Sequence, residues 1–210
     1  KKLMEVSDYE ALKEATYIRK DLVEVARNSK DDAIEYPSDL VIASYVLNEM
    51  SMEDRMDVVR YLWKNTKKML VIIEPGTPVG FRNIRRIRDF LIEEGAYVCA
   101  PCPHMDSCPV SGDDWCHFTV RVQRGKVHRL LKEADVPYED EKFSYIALSR
   151  EPIELDKFGR VMRHPRTEKG RMELCMCTKD GIINKVITKK DGEAYKRAKK
   201  ADCGDSYPFI

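Results

Sequence analysis

The sequence predicts an α/β fold: a doubly wound, parallel sheet that is incomplete at its N-terminal side, followed by a small β-rich C-terminal extension. Three observations carry this. Apolar runs alternate with amphipathic segments from about residue 39 to residue 100, joined by short connections, the pattern of strand–helix–strand units. Two of the runs, Leu40-Val-Ile-Ala43 and Leu70-Val-Ile-Ile73, are continuously apolar, which suits strands of a sheet covered on both faces. Beyond Arg150 the character changes to short β-like pieces separated by Lys-Gly and Asp-Gly turns, a hairpin signature. The chain therefore divides into an α/β domain over residues 1–150, with a cysteine loop inserted at 99–117, and a basic β-rich extension over 151–210.

Element by element, Lys2 to Val6 reads as a short strand ending in Glu5. A helix from Tyr9 to Ile18 follows, with Asp8 as its cap. Arg19 to Tyr36 is charged and fits no single template. After the strand Asp39 to Ser44, Ser51 caps a helix on which Met56, Val59, Leu62 and Trp63 recur at helical spacing. Met69 to Ile73 is the next strand, and the Glu74-Pro-Gly-Thr-Pro78 turn ends it. Phe81, Ile84, Ile87 and Leu91 mark one face of a helix that Gly95 stops. Ala96 to Ala100 is a strand. Past the cysteines, Phe118 to Val122 alternates as a half-exposed strand, Val127 to Ala134 is helical, and Phe143 to Leu148 is a last strand. In the extension, Arg171 to Cys177 and Ile182 to Thr188 read as strands.

The 210 residues are 43% hydrophobic and 35% charged, with a formal net charge of +1, so overall charge does not point to nucleic acid. Its distribution does: from Arg160 to Lys200, thirteen Lys or Arg stand against five Asp or Glu. No apolar run approaches the ~20 residues that span a bilayer, and no signal peptide is evident. The chain opens Lys1-Lys-Leu-Met4 on the threshold of a strand, which suggests that part of the natural protein precedes it. Seven cysteines without a secretory signal suit reduced thiols, some of them bound to metal, in a cytosol-like compartment.

The chemistry concentrates in Cys99-Ala-Pro-Cys102-Pro-His104-Met-Asp-Ser-Cys108-Pro-Val-Ser-Gly-Asp-Asp-Trp-Cys116-His117, where four thiols, two imidazoles and three prolines crowd nineteen residues. Thiolates select zinc, copper(I) or iron–sulfur clusters. The prolines beside Cys102 and Cys108 stiffen the loop, so a metal need not order a floppy chain. Zinc ribbons favour two close Cys-x-x-Cys pairs; only Cys99 and Cys102 have that spacing, and the wider intervals to Cys108 and Cys116 suit a cubane cluster. The bland alternative is a set of buried free thiols acting as small apolar groups. Cys175 and Cys177 lie in the extension, within reach of a distant fourth ligand position, while Cys203 carries no obvious chemistry. His104 and His117 are either donors to cluster sulfurs or ordinary partly buried histidines. A Cys116–His117 nucleophile–base pair is disfavoured, because neighbours on a strand point to opposite faces.

Taken together, Asp39-Leu-Val-Ile-Ala-Ser-Tyr-Val-Leu-Asn48-Glu49, Glu74-Pro-Gly-Thr77, Ala100-Pro-Cys-Pro-His104 with Cys108, Trp115-Cys-His-Phe118, Tyr138-Glu-Asp-Glu-Lys-Phe-Ser-Tyr145, Cys177-Thr-x-x-Gly181 and Gly204-Asp205 resemble, in order along almost the whole chain, the methyltransferase-like assembly proteins of the small ribosomal subunit in mitochondria, bacteria and archaea. The resemblance implies a class I, Rossmann-like methyltransferase fold and a [4Fe–4S] cluster. Carried onto this sequence, the ligands fall on Cys102, Cys108 and Cys116, with the fourth on Cys177. Spacing alone leaves Cys175 and Cys99 as competitors, and zinc as the other metal.

The same resemblance makes S-adenosylmethionine a cofactor of the full-length protein. No Gly-rich turn of the kind that cradles its methionine end is present, so placing Glu5 at the end of strand two puts strand one upstream of Lys1. Glu5, Ser44, Asn48 and Glu74 are then the cofactor-side candidates, at strand ends where ligands of open α/β sheets bind; for Tyr45 and Asn48 the alternative is plain turn capping. With no evident catalytic base or nucleophile, the expected role is assembly rather than turnover. An active rRNA methyltransferase and a zinc-binding RNA module are the alternatives. The expected partners are small-subunit rRNA and ribosomal proteins, not a membrane, with the chain a monomer in a prokaryotic cytoplasm or a mitochondrial matrix. Arg160, Arg163, Arg166, Lys169, Arg171, Lys196 and Arg197 are the leading RNA contacts, with Lys189, Lys190, Lys199 and Lys200 beside them and Arg124, Lys126, His128 and Arg129 extending the patch. A solvated charged face is the alternative there.

Overall fold

A computed structural model of the chain describes residues 8–29, 35–131, 136–155 and 158–208. The strand expected over residues 2–6, and with it Glu5, lies outside these residues. The helix expected from Tyr9 to Ile18 is a single turn, α1 (Glu10–Lys13), preceded by Tyr9 without a side-chain cap, so Asp8 does not serve as one. Tyr17 and Ile18 beyond it stay exposed, so extending the helix over them would bury nothing. In the ambiguous charged stretch, α2 (Leu22–Asn28) forms because Asp21 accepts hydrogen bonds from the amides of Val23 and Glu24.

A first sheet holds β1 (Ser38–Ser44), β2 (Thr66–Pro75), β3 (Tyr97–Ala100), β4 (Phe118–Gln123) and β5 (Tyr138–Ser149). Between them lie α3 (Met52–Asn65), α4 (Pro78–Glu93) and α5 (Lys126–Leu131). The α/β class is as expected, but the sheet is mixed rather than wholly parallel. β1 and β2 are parallel, whereas β5 inserts antiparallel between β2 and β3. Among the described residues β1 is an edge strand, and Leu40 and Ile42 on it are 52% and 59% exposed, against the expectation of a strand covered on both sides.

β2 pairs along one side of β5, and β3 and β4 pair in succession along the other, at residues 147–149 and 138–143. β3 and β4 are thus two pieces of one strand line, and the cysteine loop leaves between them. Cys99 sits at the register shift where β3 begins to depart, and a cis Ala100–Pro101 bond follows it.

Ser51 caps α3 as expected, its hydroxyl accepting from the Asp54 amide. Thr77 caps α4 by accepting from the Gly80 amide, with Pro78 in the first turn. The glycines of this junction are required by close approach. A Cβ on Gly76 would stand 2.6 Å from the β5 backbone at Lys142, and one on Gly80 would stand 2.0 Å from the Pro75 oxygen. Val58, Val59 and Trp63 of α3, Ile84, Ile87 and Leu91 of α4, and Leu70, Ile72, Ile146 and Leu148 of the sheet form the main core.

The extension folds as a second, antiparallel sheet of β6 (Phe158–Val161), β7 (Arg166–Glu168), β8 (Arg171–Thr178), β9 (Gly181–Thr188) and β10 (Ser206–Pro208). Period-two alternation on β8 sends Met172, Leu174 and Met176 into a core with Val161, Ile187, Ala198 of α6 (Glu193–Ala198) and Tyr207. Cys175 and Cys177 therefore point to the opposite face. There Cys177 and Met162 meet Phe81 of α4 and Val110 of the loop in a small cluster that joins the two sheets.

Candidate metal centre

The loop over residues 101–117 is irregular, so its backbone carbonyls need partners from outside it. Arginines supply most of them. From α4, Arg85 donates to the carbonyls of Val110 (3.0 Å) and Cys108 (3.5 Å), and Arg88 to those of His104 (3.2 Å) and Asp106 (2.6 Å). From the extension, Arg160 donates to Pro101 (2.8 Å) and Gly204 (2.7 Å), and Arg163 to Trp115 (3.1 Å) and to the Asp114 carboxylate. Ser144 of β5 donates to the Cys116 carbonyl at 2.8 Å, and the Trp115 indole to that of Gly76 at 3.0 Å. Ser144 lies on the part of β5 left open between β3 and β4.

This scaffold brings Cys102, Cys108, Cys116 and Cys177 onto the wall of one cavity of about 40 Å³, with Phe81, Ile84, Val110, Phe118 and Tyr145 among the other walls. Cys99 and Cys175 do not line it. Nor does Cys203, whose sulfur lies 3.4 Å from the Met162 carbonyl. Burial pushes the Cys102, Cys116 and Cys177 thiols up, Cys177 to about 12, and neighbouring cysteines of the set push the same way. Arg88 and Arg160 pull Cys102 and Cys177 back down. A nearly enclosed set of thiols flanked by two guanidiniums is matched to a group that is anionic once its sulfurs are thiolates. Among the described residues, no three His, Cys, Asp or Glu converge closely enough to hold a single metal ion.

The two loop histidines part company. His104 is 6% exposed, and its Nε2 lies 3.6 Å from Cys177 Sγ. The His117 ring instead stacks on Trp115, with its Nδ1 3.3 Å from the Trp115 carbonyl. Burial lowers the pKa of both.

Of the cofactor-side candidates among the described residues, Glu74 is buried, whereas Ser44 and Asn48 are exposed. Glu74 is wholly buried and accepts from the Leu47 amide at 3.2 Å. Its pKa is raised by burial, opposed by that amide and by Arg55. Arg55 donates to the Leu47 and Met50 carbonyls and to Asn83 Oδ1, while Asn83 donates to Asn48 Oδ1. Asn48 and Glu74 thus belong to a polar network that staples the β1–α3 connection to α4. Ser44 is exposed at the end of β1, followed by Tyr45 at φ 55.

The basic candidates divide. Arg166, Lys169, Arg171, Lys196 and Arg197 are exposed on the extension, with Lys196 paired to Glu193 at 2.6 Å and Arg171 to Glu168 at 3.8 Å. Arg160 and Arg163 depart from the expectation of surface RNA contacts, because their guanidiniums are committed to loop carbonyls. Sequence reasoning missed Arg85, Arg88 and Ser144. For Arg88 a signal exists: it continues the apolar series Phe81, Ile84, Leu91 at helical spacing, where a charge is out of place.

Comparison with known proteins follows the same lines. The family model described as mitochondrial small ribosomal subunit Rsm22 matches residues 3–208. The Homo sapiens ribosome assembly protein METTL17, mitochondrial, is 28% identical over 187 residues, covering 82% of this chain and 40% of that protein. Rsm22-cox11 tandem protein 2, mitochondrial, of Schizosaccharomyces pombe is 26% identical over 217 residues, covering 81% of this chain and 29% of its own length. Tandem protein 1 of the same yeast matches to the same extent. The chain spans less than half the length of each of these relatives.

Proposed function

The chain belongs to the mitochondrial small ribosomal subunit Rsm22 family, and from that membership we propose that it acts in small ribosomal subunit assembly as an rRNA-binding factor whose methyltransferase-like domain carries a structural [4Fe–4S] cluster. Cys102, Cys108, Cys116 and Cys177 would hold the cluster. The observation that carries the reading is their meeting on one cavity, three from the loop and one from a strand about sixty residues later, with Arg88 and Arg160 beside them as counter-charges. Four thiols spread around a cavity suit a polynuclear core better than one zinc, which needs every sulfur about 2.3 Å from a single point. When bound, the cluster would supply a cross-link between the loop and the extension; with four protein ligands it leaves no iron open for substrate.

The exposed cations Arg166, Lys169, Arg171, Lys196 and Arg197 would neutralise rRNA phosphates, beside ribosomal proteins of the assembling subunit. The working place is the mitochondrial matrix in a eukaryote and the cytoplasm in a prokaryote. Methyl transfer is the weaker reading, because no catalytic base or nucleophile is evident in the sequence. Iron and acid-labile sulfide analysis of anaerobically purified protein tests the proposal. About four of each per chain are expected for cysteine-ligated cubane; one zinc without sulfide would leave a zinc-binding RNA module in its place.

A further inference from the structure

His104 and Cys177 approach each other from segments 73 residues apart, with Nε2 and Sγ 3.6 Å apart in a buried setting. The imidazole is placed by its own backbone: the His104 carbonyl accepts from Arg88, itself 3% exposed, and the same Arg88 nitrogen binds the Asp106 carbonyl. The other ring nitrogen, Nδ1, is buried, and the Asp106 backbone acts on the ring from within the loop. The polarity of the contact depends on the sulfur. A thiol can donate to Nε2, but a thiolate can only accept. Once Cys177 is a thiolate, a hydrogen bond across this contact therefore needs the ring proton on Nε2.

We propose that His104 is a positioning residue for the metal centre, donating Nε2–H to the Cys177 sulfur and so holding the one ligand that arrives from the extension. The inference rests on the cluster reading above and adds a specific asymmetry to it. Among the described residues, Cys177 is the sulfur with an imidazole beside it, Cys102 faces the Arg88 guanidinium, and His117 is turned to Trp115. A hydrogen bond to a ligating sulfur withdraws charge and favours the reduced, more negative state of a cluster.

The test uses the loaded chain labelled with 15N-histidine, together with the H104L and H104Q variants. Wild-type protein is expected to show a weak 15N coupling in pulsed paramagnetic resonance of the reduced cluster, too small for direct ligation. H104L should lose that coupling and shift the reduction potential downwards at unchanged iron content. H104Q, which keeps an N–H donor, should restore the potential in part. If H104L fails to load, the wild-type coupling decides alone. A chain without iron overturns the functional reading and this inference with it. Iron present without a histidine coupling, or with a strong one that marks direct ligation, overturns the inference only.

Discussion

Replacing Arg88 by methionine keeps the length of the side chain and removes its fork. In the native fold one guanidinium nitrogen binds the carbonyls of His104 and Asp106, and another binds Asp89 at 2.8 Å. The two carbonyls belong to the irregular loop, so the substitution strands them without a replacement donor. A buried acceptor left unsatisfied costs about 1–3 kcal/mol. Removing a buried cation whose Nε has no partner returns part of that cost. The net expectation is about 3 kcal/mol, which for a chain of this size lowers Tm by roughly 6–12 °C. Arg88→Lys keeps the charge but replaces the planar fork with a point charge, so it should recover less than half of the loss. Calorimetry of the metal-free chain measures both variants. A loss below about 0.5 kcal/mol in R88M, within the range of an ordinary surface change, would refute the claim that Arg88 organises the loop.

Alkaline pH should destabilise the metal-free chain through Cys177. Its folded-state pKa is raised from 9.0 to about 12, so the folded form holds a proton that the unfolded form releases first. That contribution is complete below pH 9 and is lost as pH rises towards 12. The difference in Tm between wild type and C177A should therefore shrink across this window; a constant difference would contradict it. Gly80→Ala places a Cβ against the Pro75 oxygen and should cost about 2 kcal/mol or more by overpacking, seen as a lower urea midpoint. For RNA, the triple change of Arg166, Lys169 and Arg171 to alanine should reduce the salt slope of binding by roughly 2–3. Arg160→Met should leave that slope unchanged while lowering Tm, and equal slopes for both variants would remove the extension face from the interface.

Local features were legible where one residue's chemistry decides them. Ser51 caps its helix because its hydroxyl reaches the third amide onward, and the α4 stripe declares its own buried face; the Thr77 cap, hidden in a segment that reads as a turn, does not declare itself. Strand direction was not legible: Phe143 to Leu148 is as apolar read either way, so its antiparallel insertion beside β2 depends on partners far along the chain. The exposed face of β1 escaped for the same reason, since a continuous apolar run says nothing about what covers it. Glu74-Pro-Gly-Thr-Pro78 reads as a turn, and the structure makes it a strand–helix junction where close backbone approach requires Gly76 and, just beyond it, Gly80. Arg160 and Arg163 entered the sequence reading as charge alone, because whether a guanidinium faces water or a carbonyl depends on tertiary packing. The family resemblance implies Cys177 as the fourth ligand, but spacing alone leaves Cys175 and Cys99 open. That Cys177 and not these lines the cavity is seen only in the structure, where β8 pairs with β6.

The interrupted strand line explains why this loop is suited to ligands. Closing a free loop the length of residues 101–117 costs of order 2–3 kcal/mol of chain entropy. Here that cost is borne by the pairing of β3 and β4 with the same strand, β5. Arginines from α4 and the extension then bind the loop carbonyls, and Ser144 binds the last of them from the β5 edge that the interruption left open. Cys102, Cys108 and Cys116 are thus gathered before any metal would arrive, and a group bound there would not have to order them. Cys177 is different, because it rides on β8 with the whole extension. On the proposed ligation, binding energy at the fourth sulfur acts on the contact between the two sheets, and through it on the orientation of the cationic face carried by Arg166 and Arg171. The centre would then influence RNA binding without touching RNA, and without any chemistry at the metal.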